Sequence, residues 1–234
     1  MNKLILPGKR SGTVLIPSSK SVVHRLMICA ALGTHPVTLT IDGLSKDILA
    51  TADCLSALGA RIDATNQEIR IQPIEQQREH TEEVLLPAGE SGSTLRFLLP
   101  VVGALGQKAV FQMEGRLSSR PLAPFDRLLT EHGMHIQKNG EKLYCSGKLF
   151  GGSFTLPGNV SSQYFSGLLL ALPILEGESS LYVEGDSAWV GTTVRDVEEG
   201  GRCVVTAVVR GSLVLVPKDD VVLEAGDTII YMTL

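Results

Sequence analysis

The sequence predicts an α/β fold in which α+β units of about 70 residues, each with the order βαβαββ, repeat along the chain and precede a β-rich C-terminal segment. A serine-rich turn, an apolar helical run and a short β-rich stretch ending in an acidic residue and glycine occur three times. An amphipathic helix closed by glycine and followed by a hairpin occurs twice between them. The 234 residues suffice for one large domain or two modest ones.

The three serine-rich copies span residues 18–43, 90–115 and 161–185. Each begins with small hydroxyl residues, which favour a helix start, and continues into apolar residues that favour a buried helix. The two helix–hairpin copies span residues 47–71 and 124–144. Their turns carry residues typical of tight hairpins. These copies predict two full units and the first half of a third.

The repeat pattern stops after residue 185, and residues 187–234 show dense β patterning with a hairpin predicted around Gly211. We therefore place a boundary near Asp186, which divides the chain into a first domain of residues 1–186 and a β-rich tail. Two arrangements remain open for the tail. It is either a separate module or a set of strands that completes the sheet of the first domain.

Composition excludes several classes of partner. With 21 Lys+Arg against 25 Asp+Glu and a formal net charge of -4, we expect no nucleic-acid and no membrane partner. The sequence shows no signal peptide and no apolar stretch of about 18 residues. The four cysteines lack metal-ligand spacing, so we expect no metal site, no disulfide framework and a cytoplasmic location. Without a P-loop or dinucleotide fingerprint, we expect no cofactor.

The serine-rich helix starts are candidate anion sites. About four backbone N–H groups lack partners at the start of a helix, and the helix dipole adds positive charge there. Lys20 and Arg25 follow the first start, Arg96 follows the second, and Arg116 and Arg120 follow the second β-rich stretch. These cations can pair with phosphate or carboxylate. The alternative for any single serine-rich turn is ordinary N-capping.

Other polar residues near these starts have structural interpretations. We interpret Asp47, Asp53, Glu90 and Asp126 as helix caps or solvated side chains. His24 lies near the proposed site and could hydrogen-bond a substrate, but we favour its interpretation as a bystander on the surface of the first helix.

Four segments carry a family resemblance: 16–25 (IPSSKSVVHR), 90–96 (ESGSTLR), 115–122 (GRLSSRPL) and 161–165 (SSQYF). In this order they resemble the EPSP synthases, the 3-phosphoshikimate 1-carboxyvinyltransferases. The resemblance covers approximately residues 12–185. It implies an enolpyruvyl transferase-like domain and a place in the shikimate pathway of aromatic amino acid biosynthesis.

The resemblance implies roles for three residues of the first segment. Lys20, Ser21 and Arg25 would bind shikimate 3-phosphate. Lys20 would also lie near phosphoenolpyruvate.

The resemblance implies roles for residues of the other segments as well. Ser161 and Ser162 would hold the phosphate of shikimate 3-phosphate, and Gln163 would lie against its ring. Gly92 and Arg116 would face phosphoenolpyruvate, because glycine allows close approach and arginine pairs with anionic groups.

In the family, acid/base carboxylates and further cations come from a second domain of similar repeat design that closes over this one. Six units of about 70 residues need roughly 420, against 234 here. The resemblance therefore implies a truncated or chimeric domain that binds substrate with negligible turnover alone. We assign no catalytic residue.

Residues 187–232 resemble the TrkA-C (RCK-C) regulatory module of potassium-transport proteins, through the segments 189–197, 204–211 and 221–228. That module typically pairs as a dimer, so the resemblance implies a homodimer formed through the tail. Two unrelated resemblances in one chain also suggest a recombined or engineered protein. The alternative function is therefore a noncatalytic folding or dimerisation module.

Overall fold

The computed structural model describes residues 13, 16–75, 82–158, 160–184, 189, 191–201, 203–211, 213–224 and 226–233. Within these residues the chain forms six α-helices, one 3-10 helix and twelve strands. The boundary expected near Asp186 lies outside them.

The first unit alternates helices with a three-stranded antiparallel sheet. Its elements are α1 (Lys20–Leu32), β1 (Val37–Thr40), α2 (Lys46–Ala57), β2 (Arg61–Ala64) and β3 (Glu68–Gln72). β3 lies in the centre, between β1 and β2. Ser45 caps α2 by accepting a hydrogen bond from the Ile48 amide at 3.3 Å. Gly59, with φ 110°, turns the chain from α2 into the hairpin.

The second unit contains the full βαβαββ order that the sequence predicts. Its elements are β4 (Val84–Gly89), α3 (Gly92–Ala104), β5 (Ala109–Met113), α4 (Phe125–Glu131), β6 (His135–Asn139) and β7 (Lys142–Ser146). The sheet order is β4-β5-β7-β6. β4 and β5 are parallel because α3 carries the chain back across the sheet, whereas β6 and β7 form an antiparallel hairpin.

The third unit repeats only the first half of this order. It consists of β8 (Ser153–Pro157), α5 (Ser162–Ala171), a 3-10 helix (Leu172–Ile174) and β9 (Ser180–Glu184). β8 and β9 are parallel, as β4 and β5 are. The predicted repeat architecture is therefore confirmed.

The serine-started helices α1, α3 and α5 pack against one another. α3 is buried along almost its whole length. Pro100 inside α3 has no N–H for the carbonyl of Arg96, four residues earlier. Gly167 of α5 lies against that carbonyl, since a Cβ built on Gly167 would stand 2.4 Å from the Arg96 oxygen. The missing side chain lets α5 cross α3 closely.

The tail contains α6 (Val194–Gly201), β10 (Cys203–Arg210), β11 (Leu213–Leu215) and β12 (Thr228–Thr233). Its sheet order is β11-β10-β12, with antiparallel pairing throughout. Asp196 accepts hydrogen bonds from the Thr193 amide at 3.1 Å and hydroxyl at 2.8 Å, which fixes the start of α6. Arg210 pairs with Asp227 at 2.7 Å and with Glu224 at 2.5 Å, which holds the turn before β12.

Two hydrophobic clusters form among the described residues. The larger one extends from Val23 to Ala171 and joins all three units. The smaller one lies within the tail and consists of Val194, Val197, Cys203, Val205, Val208 and Leu223. The tail thus buries apolar residues of its own helix and sheet against each other.

Candidate anion-binding site

The three serine-rich helix starts use their hydroxyls in two ways. Ser91 accepts from the Thr94 amide at 3.3 Å, and Ser161 accepts from the Gln163 amide at 3.3 Å. Ser19 precedes α1 without a side-chain capping hydrogen bond. Capping therefore accounts for Ser91 and Ser161 but not for Ser19. The remaining first-turn amides carry the positive end of each helix dipole.

Lys20 lies at the first position of α1 and faces α2. Its Nζ lies 2.5 Å from Oδ2 of Asp47, with both side chains partly exposed. Asp47 is in the first turn of α2, where a carboxylate also interacts favourably with the helix dipole. An exposed pair of this kind is weak, so an incoming anion can replace Asp47 at Lys20.

Arg25 connects α1 to α5. Its Nη1 donates to the carbonyl and hydroxyl of Ser21, and its Nη2 donates to the Ser166 hydroxyl at 2.8 Å. The guanidinium carbon lies 4.7 Å from the centre of the Phe97 ring on α3. The structure therefore holds Ser21 and Arg25 at the junction of three helices.

Gln163 connects α5 to α3. Its Oε1 accepts from Nη1 of Arg96 at 2.9 Å, and its Nε2 donates to the Ser93 hydroxyl at 2.9 Å. Ser162, beside it, is exposed, and its carbonyl accepts from the Ser166 hydroxyl at 3.1 Å. The predicted residues of α5 thus lie next to the start of α3.

Two guanidinium groups lie against Gly92, the first residue of α3. A Cβ built on Gly92 would stand 2.8 Å from Nη1 of Arg96 and 2.9 Å from Nη1 of Arg120. A larger residue here would displace the ends of these two flexible side chains. From the sequence, we expect Arg120 to be a nearby cation but assign it no ligand. Arg116 is exposed in the turn that follows β5, and the next residue, Leu117, is buried.

Positive charge at this end of the helices is largely uncompensated. Within the described part of the chain, Arg25, Arg96, Arg116 and Arg120 form no ion pair with a carboxylate. Arg25, Arg96 and Arg120, whose guanidinium groups lie against residues of α3, make with the first-turn amides a surface suited to phosphate or carboxylate.

The other carboxylates predicted as helix caps or solvated side chains have local contacts or lie exposed. Asp126 accepts from the Arg127 amide at 2.9 Å in the first turn of α4, and Asp53 is exposed on α2. The Glu90 side chain occupies the space where a side chain of Gly115 would stand. Among the residues that the structure describes, no cluster of acidic, histidine or cysteine side chains could hold a metal ion.

His24 was expected on the surface of α1, and that interpretation is wrong. Its side chain is fully buried, and Nδ1 lies 2.6 Å from the Thr51 hydroxyl. Burial lowers the pKa of His24 from 6.5 to about 4, helped by the charges of Lys20 and Arg25 and opposed by Asp47. The ring is therefore neutral at neutral pH. Periodicity places its neighbours Val23 and Met27 in the core, but it does not show that α2 and α3 also cover this position.

The fold and these helix starts define a class, a repeated α/β domain in which helix N-termini and arginine side chains lie close together. The family profile of EPSP synthase (3-phosphoshikimate 1-carboxyvinyltransferase) matches residues 6–196. The chain therefore belongs to the EPSP synthase family. A second profile, that of the TrkA-C domain, matches residues 180–230. Both resemblances predicted from the sequence are confirmed.

Known relatives agree with this assignment. The chain is 36% identical over 210 residues to the 3-phosphoshikimate 1-carboxyvinyltransferase of Clostridium beijerinckii, covering 86% of this chain and 48% of the relative. It is 40% identical over 193 residues to the enzyme of the same name from Clostridium acetobutylicum, covering 80% of this chain and 45% of the relative. The chain spans about half the length of these curated relatives.

A solved structure extends the agreement to three dimensions. EPSP synthase from Acinetobacter baumannii matches with a TM-score of 0.64 and 27% identity, covering 90% of this chain and 48% of that chain. Within the described residues, no helix is both long and apolar enough to span a membrane.

Proposed function

We propose that this chain binds shikimate 3-phosphate and forms part of a phosphoenolpyruvate site. The observation that carries the proposal is the set of contacts linking α1 to α5 through Arg25 and α5 to α3 through Gln163. These contacts join two of the sequence-predicted residues, Arg25 of α1 and Gln163 of α5, to neighbouring helices, which supports a shared site. Lys20, Ser21 and Arg25 would bind the substrate from α1, and Ser161, Ser162 and Gln163 from α5.

Gly92 and Arg116 are proposed to face phosphoenolpyruvate. Two further arginines support an anion at Gly92, because Arg96 and Arg120 both direct a guanidinium nitrogen towards it. A carboxylate or phosphate at this position would pair with them bidentately. The family membership supports the choice of ligands.

Calorimetric titration with shikimate 3-phosphate tests the proposal. The unmodified chain is expected to bind with millimolar or tighter affinity. Lys20→Ala removes an ammonium and Ser161→Ala removes a hydroxyl at the start of α5, so each should weaken binding at least about tenfold.

Matched controls lie at the other end of the helices. Lys108→Ala at the exposed residue before β5, and Ser56→Ala at the exposed C-terminal end of α2, should leave the affinity unchanged. Absence of any binding heat at millimolar ligand, with a folded protein, would reject the proposal.

We propose that the chain alone turns over negligibly. The resemblance supports this proposal, because in the family the acid/base carboxylates come from a second domain, and this chain spans about half the length of its relatives. A phosphate-release assay with both substrates should give background rates. Turnover that disappears in Asp47→Asn would show that Asp47 is catalytic and that this part of the proposal is wrong.

The second candidate function is a noncatalytic module that dimerises through the tail. It is favoured by exposed apolar side chains on or beside the tail sheet, with Val214 71%, Val216 72% and Ile230 53% exposed. Size-exclusion chromatography with light scattering should then give a dimer that Val214→Lys converts to a monomer. A monomer at high protein concentration would exclude this function.

A cytoplasmic location remains part of the proposal. All four cysteines, Cys29, Cys54, Cys145 and Cys203, are free thiols, as a reducing compartment favours.

A further inference from the structure

A buried chain of hydrogen bonds joins the first three helices. Nδ1 of His24 in α1 lies 2.6 Å from the Thr51 hydroxyl in α2, which lies 2.7 Å from the Thr94 hydroxyl in α3. The Thr94 hydroxyl donates to Oγ of Ser91, the N-cap of α3, at 2.7 Å. All four side chains are at most 1% exposed. Because the side chains are shielded from bulk solvent, these hydrogen bonds are stronger than exposed ones and constrain the geometry of the groups that they join.

The unpartnered nitrogen of His24 indicates which groups donate and which accept along this series of hydrogen bonds. Nε2 is buried and has no hydrogen-bond partner among the described residues. A hydrogen on Nδ1 leaves Nε2 as a bare acceptor, which is better tolerated in a protein interior than an unpaired N–H. His24 then donates to Thr51, Thr51 donates to Thr94, and Thr94 donates to Ser91. The low pKa of His24 agrees with a ring that stays neutral.

This chain of hydrogen bonds is linked to the cations of the site. Lys20 lies one turn before His24 on α1 and pairs with Asp47 of α2. The backbone carbonyl of Asp47 lies 3.4 Å from the Thr94 hydroxyl. Arg25 follows His24 directly and stacks on Phe97, whose ring also meets His24 edge-on at 6.3 Å. A change at His24 would therefore shift both Lys20 and the start of α3.

We propose that His24 is a positioning residue of the anion-binding site, acting through Thr51 and Thr94 to hold the starts of α1, α2 and α3 in one register. His24 does not contact the ligand. Its hydrogen-bond chain sets where the α3 amides lie relative to Lys20. The affinity part of the proposal rests on the shikimate 3-phosphate binding proposed above.

Two matched pairs of variants test this role. Thr51→Ser keeps the hydroxyl, whereas Thr51→Val keeps the shape and removes it. His24→Asn places an amide where Nδ1 lies, whereas His24→Gln reaches the position of Nε2. We expect Thr51→Ser and His24→Asn to bind shikimate 3-phosphate within about threefold of the unmodified chain. Thr51→Val and His24→Gln should bind at least about tenfold more weakly, at a temperature where all four are folded.

A merely structural role makes a different prediction. Affinity would then follow thermal stability, and Thr51→Ser, which loses a buried methyl group, would weaken binding as much as Thr51→Val. That result would overturn the proposal. So would unchanged affinity in both Thr51→Val and His24→Gln.

An NMR measurement separates this proposal from the proposed function. In Thr51→Val, the backbone amide signals of Asp47 and of Gly92 to Thr94 should move, whereas in Thr51→Ser they should stay near their original positions. If the unmodified chain binds no shikimate 3-phosphate, the proposed function fails, and these shifts still decide the positioning role. Unmoved signals in Thr51→Val would overturn it.

Discussion

At the scale of single residues, His24 couples the stability of the fold to pH. Its pKa is lowered to about 4 in the folded protein, against an ordinary value of 6.5. Between these values the unfolded chain binds a proton that the folded chain does not, so the free energy of unfolding falls as pH falls. The contribution of His24 to the free energy of unfolding is fully present above pH 6.5 and is lost progressively as the pH falls towards 4. Its full size is about 3 kcal/mol.

We therefore expect His24→Asn, which cannot titrate, to remove much of the loss of stability between pH 6.5 and 4. Urea unfolding of both proteins at several pH values measures it, because the difference between their unfolding free energies isolates the histidine. Asp47, Lys20 and Arg25 are the charged groups that act on the ring, and the variant retains all three residues. If the unfolding free energies of the two proteins changed with pH in parallel, His24 would be taking up a proton in the folded state as readily as in the unfolded chain.

Arg120 carries a second prediction at this scale. Its Nη1 lies against Gly92 at the start of α3, so Arg120→Ala should weaken phosphoenolpyruvate binding at least about tenfold. Chemical-shift titration of the Gly92 amide measures the affinity. Arg127→Ala removes an exposed arginine that pairs with Glu131 on α4 and should change nothing. If Arg120→Ala bound phosphoenolpyruvate as tightly as the unmodified chain, other cations would have to bind the anion at Gly92.

The difference between Arg116 and Arg120 shows a limit of prediction from the sequence. Both arginines lie in the same serine-containing turn, and nothing in the order of residues shows which one reaches Gly92. The choice depends on burial of Leu117 and on how the turn packs beside α3. The predicted role of Arg116 stays a prediction.

At the scale of elements, the sequence predicts the repeat well because serine-rich turns mark helix starts and glycines mark helix ends in the units. α2 (Lys46–Ala57) begins one residue before the predicted helix, and the hairpin β6–β7 turns at Gly140 and Glu141, inside the predicted helix–hairpin copy of residues 124–144. The contact between α3 and α5 could not be predicted. It depends on Pro100 exposing a carbonyl in one unit and on Gly167 lacking a side chain in the next.

This helix crossing gives a prediction at the element scale. Gly167→Ala would place a Cβ 2.4 Å from the Arg96 carbonyl oxygen and 3.1 Å from Pro100 Cγ. Because the backbone of buried α3 has little room to move, we expect a loss of about 2–3 kcal/mol in unfolding free energy. The shift of α5 should also separate Gln163 from Arg96 and weaken anion binding.

Leu169→Ala is the matched control for Gly167→Ala on the same helix. Leu169 is 62% exposed, so its truncation should cost less than about 0.5 kcal/mol. Urea unfolding followed by circular dichroism measures both variants. Equal stability of Gly167→Ala and the unmodified chain would mean that α5 can move away from α3 at no cost.

At the scale of the whole molecule, the buried apolar residues form two hydrophobic clusters, and this division bears on how the protein unfolds. The repeated units share one core, from Val23 to Ala171, whereas the tail packs α6 against its own three-stranded sheet. The TrkA-C profile covers this tail, and the EPSP synthase profile covers the units. We propose that the tail is a module that unfolds separately and does not complete the sheet of the first domain.

Separate unfolding is tested by one truncation in each cluster. Leu98 of α3 and Leu223 of the tail are both at most 1% exposed, so Leu→Ala at either should cost about 2–5 kcal/mol. Two heat-capacity transitions are expected, with Leu223→Ala lowering only one midpoint and Leu98→Ala only the other. Shikimate 3-phosphate should raise the midpoint that responds to Leu98→Ala, because the ligand binds only the folded units. A single transition shifted by both truncations would show instead that the tail and the units unfold as one cooperative structure.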